Sequence, residues 1–353
     1  MSRRLLIAAL AALFAVQVPL IAADDLALAL FERYLDALRR QAGVPGMAAA
    51  IVGETDIVWE RGFGMQDIER SIAATPATPF QIDGLTQALT AELVLRCAEE
   101  GRVTLNDRAG AYDPSAAEPD ATLRQLLTHT SGPVAAPIFN YDPQRLKPMM
   151  RVVRACESGS YRKTLANLFD RLAMRDSVPG PDVLALVPPA EGIPEPADAE
   201  RYKDVLGKLA KPYAVDRRGR ATPSSYSTTE LGPDSGAIST VRDLAEFDLA
   251  IRRGDLLKNT TIQAAWTPPV SLTGQPLPHG MGWFVQYYKG EPVIWQFGVE
   301  DDASSALLIH MPSRRLTFIL LANSDKLVRP FPLEKGDVSA SPFGRLVLRS
   351  FIG

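Results

Sequence analysis

Few residues in this chain have the type and setting to carry a reaction. Ser160-Tyr161-Arg162-Lys163 is a Ser-x-x-Lys run that follows the turn residues Ser158-Gly159 and opens a helical stretch. A serine nucleophile needs a neighbouring base, and that spacing on a helix can supply one. Tyr141 and Asp83 are the other side chains on which an ester-cleaving site could be built. No G-x-S-x-G elbow is present. The three histidines, His129, His279 and His310, show no metal-ligand spacing with one another or with cysteine, so no metal is expected and no cofactor is implied. Of the two cysteines, Cys97 lies within an apolar helix and reads as a small buried residue. An unbridged Cys97 and Cys156 are therefore expected, although export would permit a disulfide.

The stretch that must position any site is Phe80 to Gly101, FQIDGLTQALTAELVLRCAEEG. It reads as a short extended lead-in and one long helix with almost no polar face. A helix apolar nearly all round is buried, so the rest of the chain packs about it. Gly101 suits the left-handed residue that ends many helices. The N-terminal end, Asp83 to Gln87, offers free N–H groups and the positive end of the helix dipole, and a pocket is expected there.

This frame resembles the central helix of class C-type serine β-lactamases and their penicillin-binding and esterase relatives. The resemblance covers about residues 26–350. It includes Leu126-Leu127-Thr128-His129-Thr130-Ser131-Gly132, the run Ser235-Gly236-Ala237-Ile238-Ser239-Thr240-Val241-Arg242-Asp243-Leu244, Gly282-Trp283 and Leu320-Leu321-Ala322-Asn323-Ser324. It implies three catalytic motifs, and each is degraded here. The nucleophile and its lysine fall on Gly84 and Gln87. The Y-x-N motif falls on Tyr141-Asp142-Pro143. The H-x-G or K-T-G of the edge strand falls on Gln296-Phe297-Gly298. Glycine has nothing to attack with, and a carboxamide accepts no proton near neutral pH. Thr86 would point elsewhere on the helix, His129 is implied to fix a loop, and Ser160 sits where such proteins carry an ordinary capping serine. What remains is a pocket of Gly84, Gln87, Tyr141, Gln296, Gly298 and Val299, uncharged except for Asp83 and Asp142 at its edge. The N–H groups of Gly84 and Val299 would face a carbonyl or carboxylate.

Composition sets the outer bounds. The chain has 353 residues, 46% hydrophobic and 22% charged, with net charge −3. That is ordinary for a globular protein and carries no basic footprint for nucleic acid. Residues 1–23 carry Arg3 and Arg4, an apolar run and Ala22-Ala23 before Asp24-Asp25, the pattern of a cleavable secretory signal. A periplasmic or secreted protein with no stable membrane span after cleavage is expected. The route, general secretory or twin-arginine, stays open.

Amphipathic periodicity predicts a helix over Leu26 to Gly43 and strands over Met47–Val52 and Ile57–Phe63. Residues 143–174 read as a helix in two pieces broken at Ser158-Gly159. Residues 178–233 are rich in proline and read as a surface excursion with one helix, Asp198 to Leu209. Thr240 and Asp243 spell a capping box. Four strands follow, Met281–Tyr288, Pro292–Phe297, Ser304–His310 and Leu316–Ala322, then a helix from Phe343 to Phe351. The expected class is α+β: one antiparallel sheet built from both chain ends (about 24–80 and 240–353), flanked by helices, with an inserted helical lobe (about 81–239) and a cleft between them. The expected function is non-covalent binding of a small molecule, peptide or protein partner in that cleft or through the proline-rich excursion, with a structural or assembly role without a small-molecule ligand as a further reading. The alternative is a hydrolase with a relocated nucleophile.

Overall fold

The computed structural model describes residues 21–187 and 192–353. Residues 1–20, most of the expected signal, lie outside the described residues. Helix α1, Ile21–Ala42, runs over the expected cleavage point. Among the described residues no helix is long and apolar enough to cross a membrane.

Seven strands form one sheet: β1 Gly46–Val52, β2 Ile57–Asp67, β3 Ile72–Ala73, β4 Phe284–Tyr288, β5 Glu291–Glu300, β6 Ser304–Met311 and β7 Leu316–Ala322. Their order is β4-β5-β6-β7-β1-β2-β3, with antiparallel pairing throughout. The two chain ends meet where β1 pairs with β7, Ala49 opposite Leu320. Every residue of β1 is buried because both faces of the sheet are covered. Pleating sends Met47, Ala49 and Ile51 to one face, against Phe31 and Leu35 of α1. Ala48, Ala50 and Val52 go to the other, in the cluster with the central helix.

That central helix, α2, spans Thr86–Glu99 and ends before Gly101, whose φ is 70°. Eleven of its residues are buried, so packing on all sides holds it in place. Around it lie α3 Leu123–Leu127, α4 Met149–Cys156, α5 Tyr161–Arg171 and α7 Val241–Arg253, while α6 Pro196–Leu206 packs in a separate apolar cluster with Val178, Val183 and Ile238. The break between α4 and α5 falls at Ser158-Gly159, and Gly159 needs its φ of 144°.

Three local expectations change. Cys97 and Cys156 form a disulfide, with Cα atoms 5.9 Å apart. Burial of Cys97 within α2 does not keep it single, because α4 packs on α2 and presents a second cysteine at the contact. The capping box at α7 is half made: Thr240 Oγ1 accepts from Asp243 N–H, while the Asp243 carboxylate accepts from Asp176 N–H and Ser177 Oγ–H. β5 runs past Phe297 to Glu300, which carries an acidic residue to the lip of the cleft.

Candidate functional site

The site forms where the 3₁₀ turn Asp83–Leu85 leads into α2 and lies against β5. The turn is tight. Asp83 has φ 46°, in the left-handed region that non-glycine residues seldom occupy. At Gly84 a Cβ would lie 2.7 Å from Phe297 O and 3.2 Å from Gln87 Nε2. The strand backbone therefore occupies the room a side chain would need. Position 84 lacks a hydroxyl and also lacks the space for the carbon that would carry one.

Beside Gly84 lies a cleft of about 300 Å³, bordered by Tyr141, Phe297 and Val299 and by the polar groups described below. Behind it runs a chain of hydrogen bonds with a fixed direction. Asp142 N–H can only donate, and it donates to His129 Nδ1 at 3.2 Å. His129 therefore carries its proton on Nε2, which donates to Gln87 Oε1 at 3.0 Å. Gln87 Nε2 in turn donates to the Tyr141 hydroxyl at 2.8 Å. The Tyr141 O–H keeps one proton to give. Burial first, then the nearby His279 and Arg145, hold the His129 pKa well below the usual histidine range. Burial pushes that of the Tyr141 phenol up. Nothing in this row accepts a proton at neutral pH, so the row positions Tyr141 as a donor and does not activate it.

The residues singled out from sequence are thus divided. Gly84, Tyr141 and Val299 border the cleft. Gln87 stands behind Tyr141. Gln296 is turned away: its Nε2 donates to Gly282 O at 3.0 Å and its Oε1 accepts from Phe297 N–H at 2.9 Å. Gly298 serves as close backbone packing, where a side chain would strike Ile82 O. Behind Tyr141, Phe139 packs on His279 and Phe284. His129 fixes the loop, since its backbone carbonyl also accepts from Asn140 N–H. Ser160 lies in a different groove, with Arg151 and Arg162, and its Oγ accepts from Lys163 N–H as the N-cap of α5.

The uncharged character expected of this pocket is not what the structure shows. Its wall carries Asp83, Asp234, Glu300 and Asp301, with Arg329 as the cation. Asp142 is engaged elsewhere, accepting from Gln144 N–H. Sequence reasoning missed Gln144, Ser227, Thr228, Asp234, Ser235, Glu300, Asp301 and Arg329. A faint signal existed for some: Ser235 opens the Ser-Gly-Ala run and Asp234 directly precedes it, and Glu300 lies two residues beyond Gly298. Ser227 and Thr228 come from the proline-rich excursion and carry no local mark. Among the described residues, the one cluster with metal-ligand proximity is Cys97, Cys156 and Glu157, and its two sulfurs are already bonded to each other.

Comparison with known proteins agrees with this architecture. Residues 31–337 match the family model described as Beta-lactamase. Protein flp of Staphylococcus aureus is 33% identical over 95 residues, which is 25% of this chain and 19% of that protein. The putative penicillin-binding protein PbpX of Bacillus subtilis is 36% identical over 85 residues, 24% of this chain and 22% of that protein. The chain therefore spans only about a fifth of the length of these curated relatives. Among solved structures, the octameric penicillin-binding protein homologue from Pyrococcus abyssi superposes with TM-score 0.70 at 19% identity, covering 85% of this chain and 74% of its own. A penicillin-binding protein from Bacillus halodurans gives TM-score 0.65 at 20% identity, covering 82% and 94%.

Proposed function

Because this chain belongs to the beta-lactamase family, we propose that it is an exported member that has lost the covalent chemistry and binds a small molecule or peptide non-covalently in the cleft at the head of α2. The observation that carries this reading is the packing at Gly84. β5 lies so close that no side chain fits, so the loss is built into the backbone as well as the side-chain alphabet.

The remaining groups suit binding. Tyr141 borders the cleft with an O–H that keeps its proton, and Phe297 and the Tyr141 ring supply an apolar wall, their centroids 5.3 Å apart. Ser227, Thr228 and Ser235 lie among the lining residues. Of the side chains that could replace the lost nucleophile, Ser160 is outside this cleft. Tyr141 keeps its proton. Asp83 is buried, and burial pushes its pKa well up, which disfavours the anion that would attack. Export is supported by the apolar leader pattern in residues 1–23 and by the Cys97–Cys156 disulfide, a bond that persists in oxidising compartments.

The test is intact-protein mass spectrometry after exposure to a fluorescent penicillin and to a fluorophosphonate. No mass increase is expected with either. Stoichiometric labelling of a serine would overturn the reading.

A further inference from the structure

At the far end of β6 from the cleft, a second pocket of about 440 Å³ opens between the β1–β2 turn, the last turn of α7 and a short helix, α8 Asn259–Ala265. His310 lies in its wall. Ser304, which donates to Asp83 at the first site, starts the same strand. At the rise of a strand the two positions are about 20 Å apart. His310 is 5% exposed, and its hydrogen bonds have a fixed direction. Thr317 stands opposite it in the β6–β7 pairing. The Thr317 Oγ–H donates to Asp248 Oδ1 at 2.8 Å, and Asp248 Oδ2 accepts from Arg252 Nε–H at 2.8 Å. A hydroxyl has one proton, so towards the ring Thr317 Oγ1 only accepts, and His310 Nδ1–H donates to it at 2.8 Å. Burial, then the Arg252 guanidinium, hold the ring's pKa down at about 3, so the ring is neutral at pH 7. Nε2 therefore carries a lone pair, polarised through the row that starts at Asp248. His279 Nε2 is likewise an acceptor, since Nδ1–H donates to Gly280 O, but it is sealed in the core. His310 Nε2 makes no hydrogen bond among the described residues and is not sealed, and the pocket is what it opens on.

The rest of the wall is apolar and positively charged. Ile262, Pro312 and Trp266 line it, and the Trp266 ring leans on His310 with centroids 5.3 Å apart. Three arginines border the space. Arg252 is paired to Asp248 and Arg315 to Glu54. Arg253 is paired to no acid among the described residues, and its Nη2–H donates to Thr55 O. We infer that this pocket binds a small hydroxyaryl carboxylate, its O–H donating to His310 Nε2, its ring against Trp266 and its carboxylate on Arg253. A neutral molecule without a donor would leave the nearly buried Nε2 unpaired. A cation would meet Arg253 and find both acids already taken. The site is separate from the cleft at Gly84 and does not depend on whether that cleft binds anything.

Isothermal titration of the purified full chain with three matched probes tests this. 4-Hydroxyphenylacetate carries both the hydroxyl and the charge. Phenylacetate lacks the hydroxyl, and 4-hydroxyphenylacetamide lacks the charge. The first is expected to bind, more weakly as salt rises. Phenylacetate should bind about tenfold more weakly, because Nε2 is then left without a donor. The amide should bind about threefold more weakly, the size of an exposed ion pair, and without the salt dependence. Arg253→Gln, at an exposed position, should bring acid and amide to equal affinity. His310→Phe, confirmed folded by thermal unfolding, should abolish the preference for the hydroxyl. Should that variant not fold, the comparison of the two acids on the parent chain still decides. Phenylacetate binding as tightly as its hydroxylated partner would overturn the assignment of His310. Equal binding of acid and amide by the parent would overturn that of Arg253. A hydroxyl preference that survives His310→Phe would place the probe elsewhere and overturn the site. So would failure of all three probes at about 10 mM.

Discussion

Restoring the missing hydroxyl should not restore the chemistry. Serine at position 84 adds a Cβ that would lie 2.7 Å from Phe297 O. Carbon–oxygen contacts elsewhere in proteins settle near 3.3 Å or beyond. Either β5 or the Asp83–Leu85 turn must therefore yield by about half an ångström. Both are buried and tightly packed, and overpacking of this kind costs about 1–3 kcal/mol. The backbone at Gly84 is not in the left-handed region, so replacing glycine also gains about 0.4–1 kcal/mol through the unfolded state. The overpacking term is larger, leaving Gly84→Ser about 0.5–2 kcal/mol less stable. With an unfolding entropy of about 2.1 cal/mol/K per residue, that is a fall in Tm of roughly 1–3 °C. The double variant Gly84→Ser, Gln87→Lys fares worse. Gln87 is fully buried, and lysine loses the acceptor that His129 Nε2–H now uses. Thermal unfolding by circular dichroism, followed by mass spectrometry with a fluorescent penicillin, reads both effects. A Gly84→Ser variant as stable as the parent and stoichiometrically acylated would refute the argument from packing.

Other predictions follow from single observations. Reducing the Cys97–Cys156 bond, or replacing both cysteines by alanine, should cost about 2–4 kcal/mol of stability in denaturant titrations, since it releases a closed loop joining α2 to α4. Glu92 lies buried in α2, and burial pushes its pKa up to about 8 from the ordinary 4.5. Between those values the folded chain holds a proton that the unfolded chain has released, so this group's contribution falls as pH rises through that window. Glu92→Gln should therefore match the parent below the window and exceed its Tm increasingly towards its upper end. His279 and His310 act in the opposite sense. Burial holds both at about 3, below the ordinary 6.5, so they stay neutral while the unfolded chain protonates, and stability is lost as pH falls through that interval. Tyr141→Phe strands Gln87 Nε2–H without its acceptor and should destabilise by about 1–3 kcal/mol in denaturant titrations.

Much of the architecture was legible because it is written in periodicity. Continuous apolar runs such as Met47–Val52 and Leu316–Ala322 belong to strands covered on both faces, and the all-round apolar helix after Gly84 could only be central. The absence of a nucleophile and base at positions 84 and 87 was also plain, since side-chain chemistry is a property of the letter itself.

Contacts made through space were not legible. The pairing of Cys97 with Cys156 depended on which faces of α2 and α4 meet. Gln296 and Tyr141 each fall on a motif position of the family frame, yet one is bonded to backbone behind the sheet edge and the other borders the cleft. The acidity of that cleft arises from Asp83 of the 3₁₀ turn, Asp234 just past the proline-rich excursion, and Glu300 and Asp301 at the end of β5, segments remote in sequence that folding brings together. Electric charge acts over distance in space, not along the chain. The letters therefore determined which side chains stand at positions 84, 87 and 296, and only the tertiary packing decided what surrounds them.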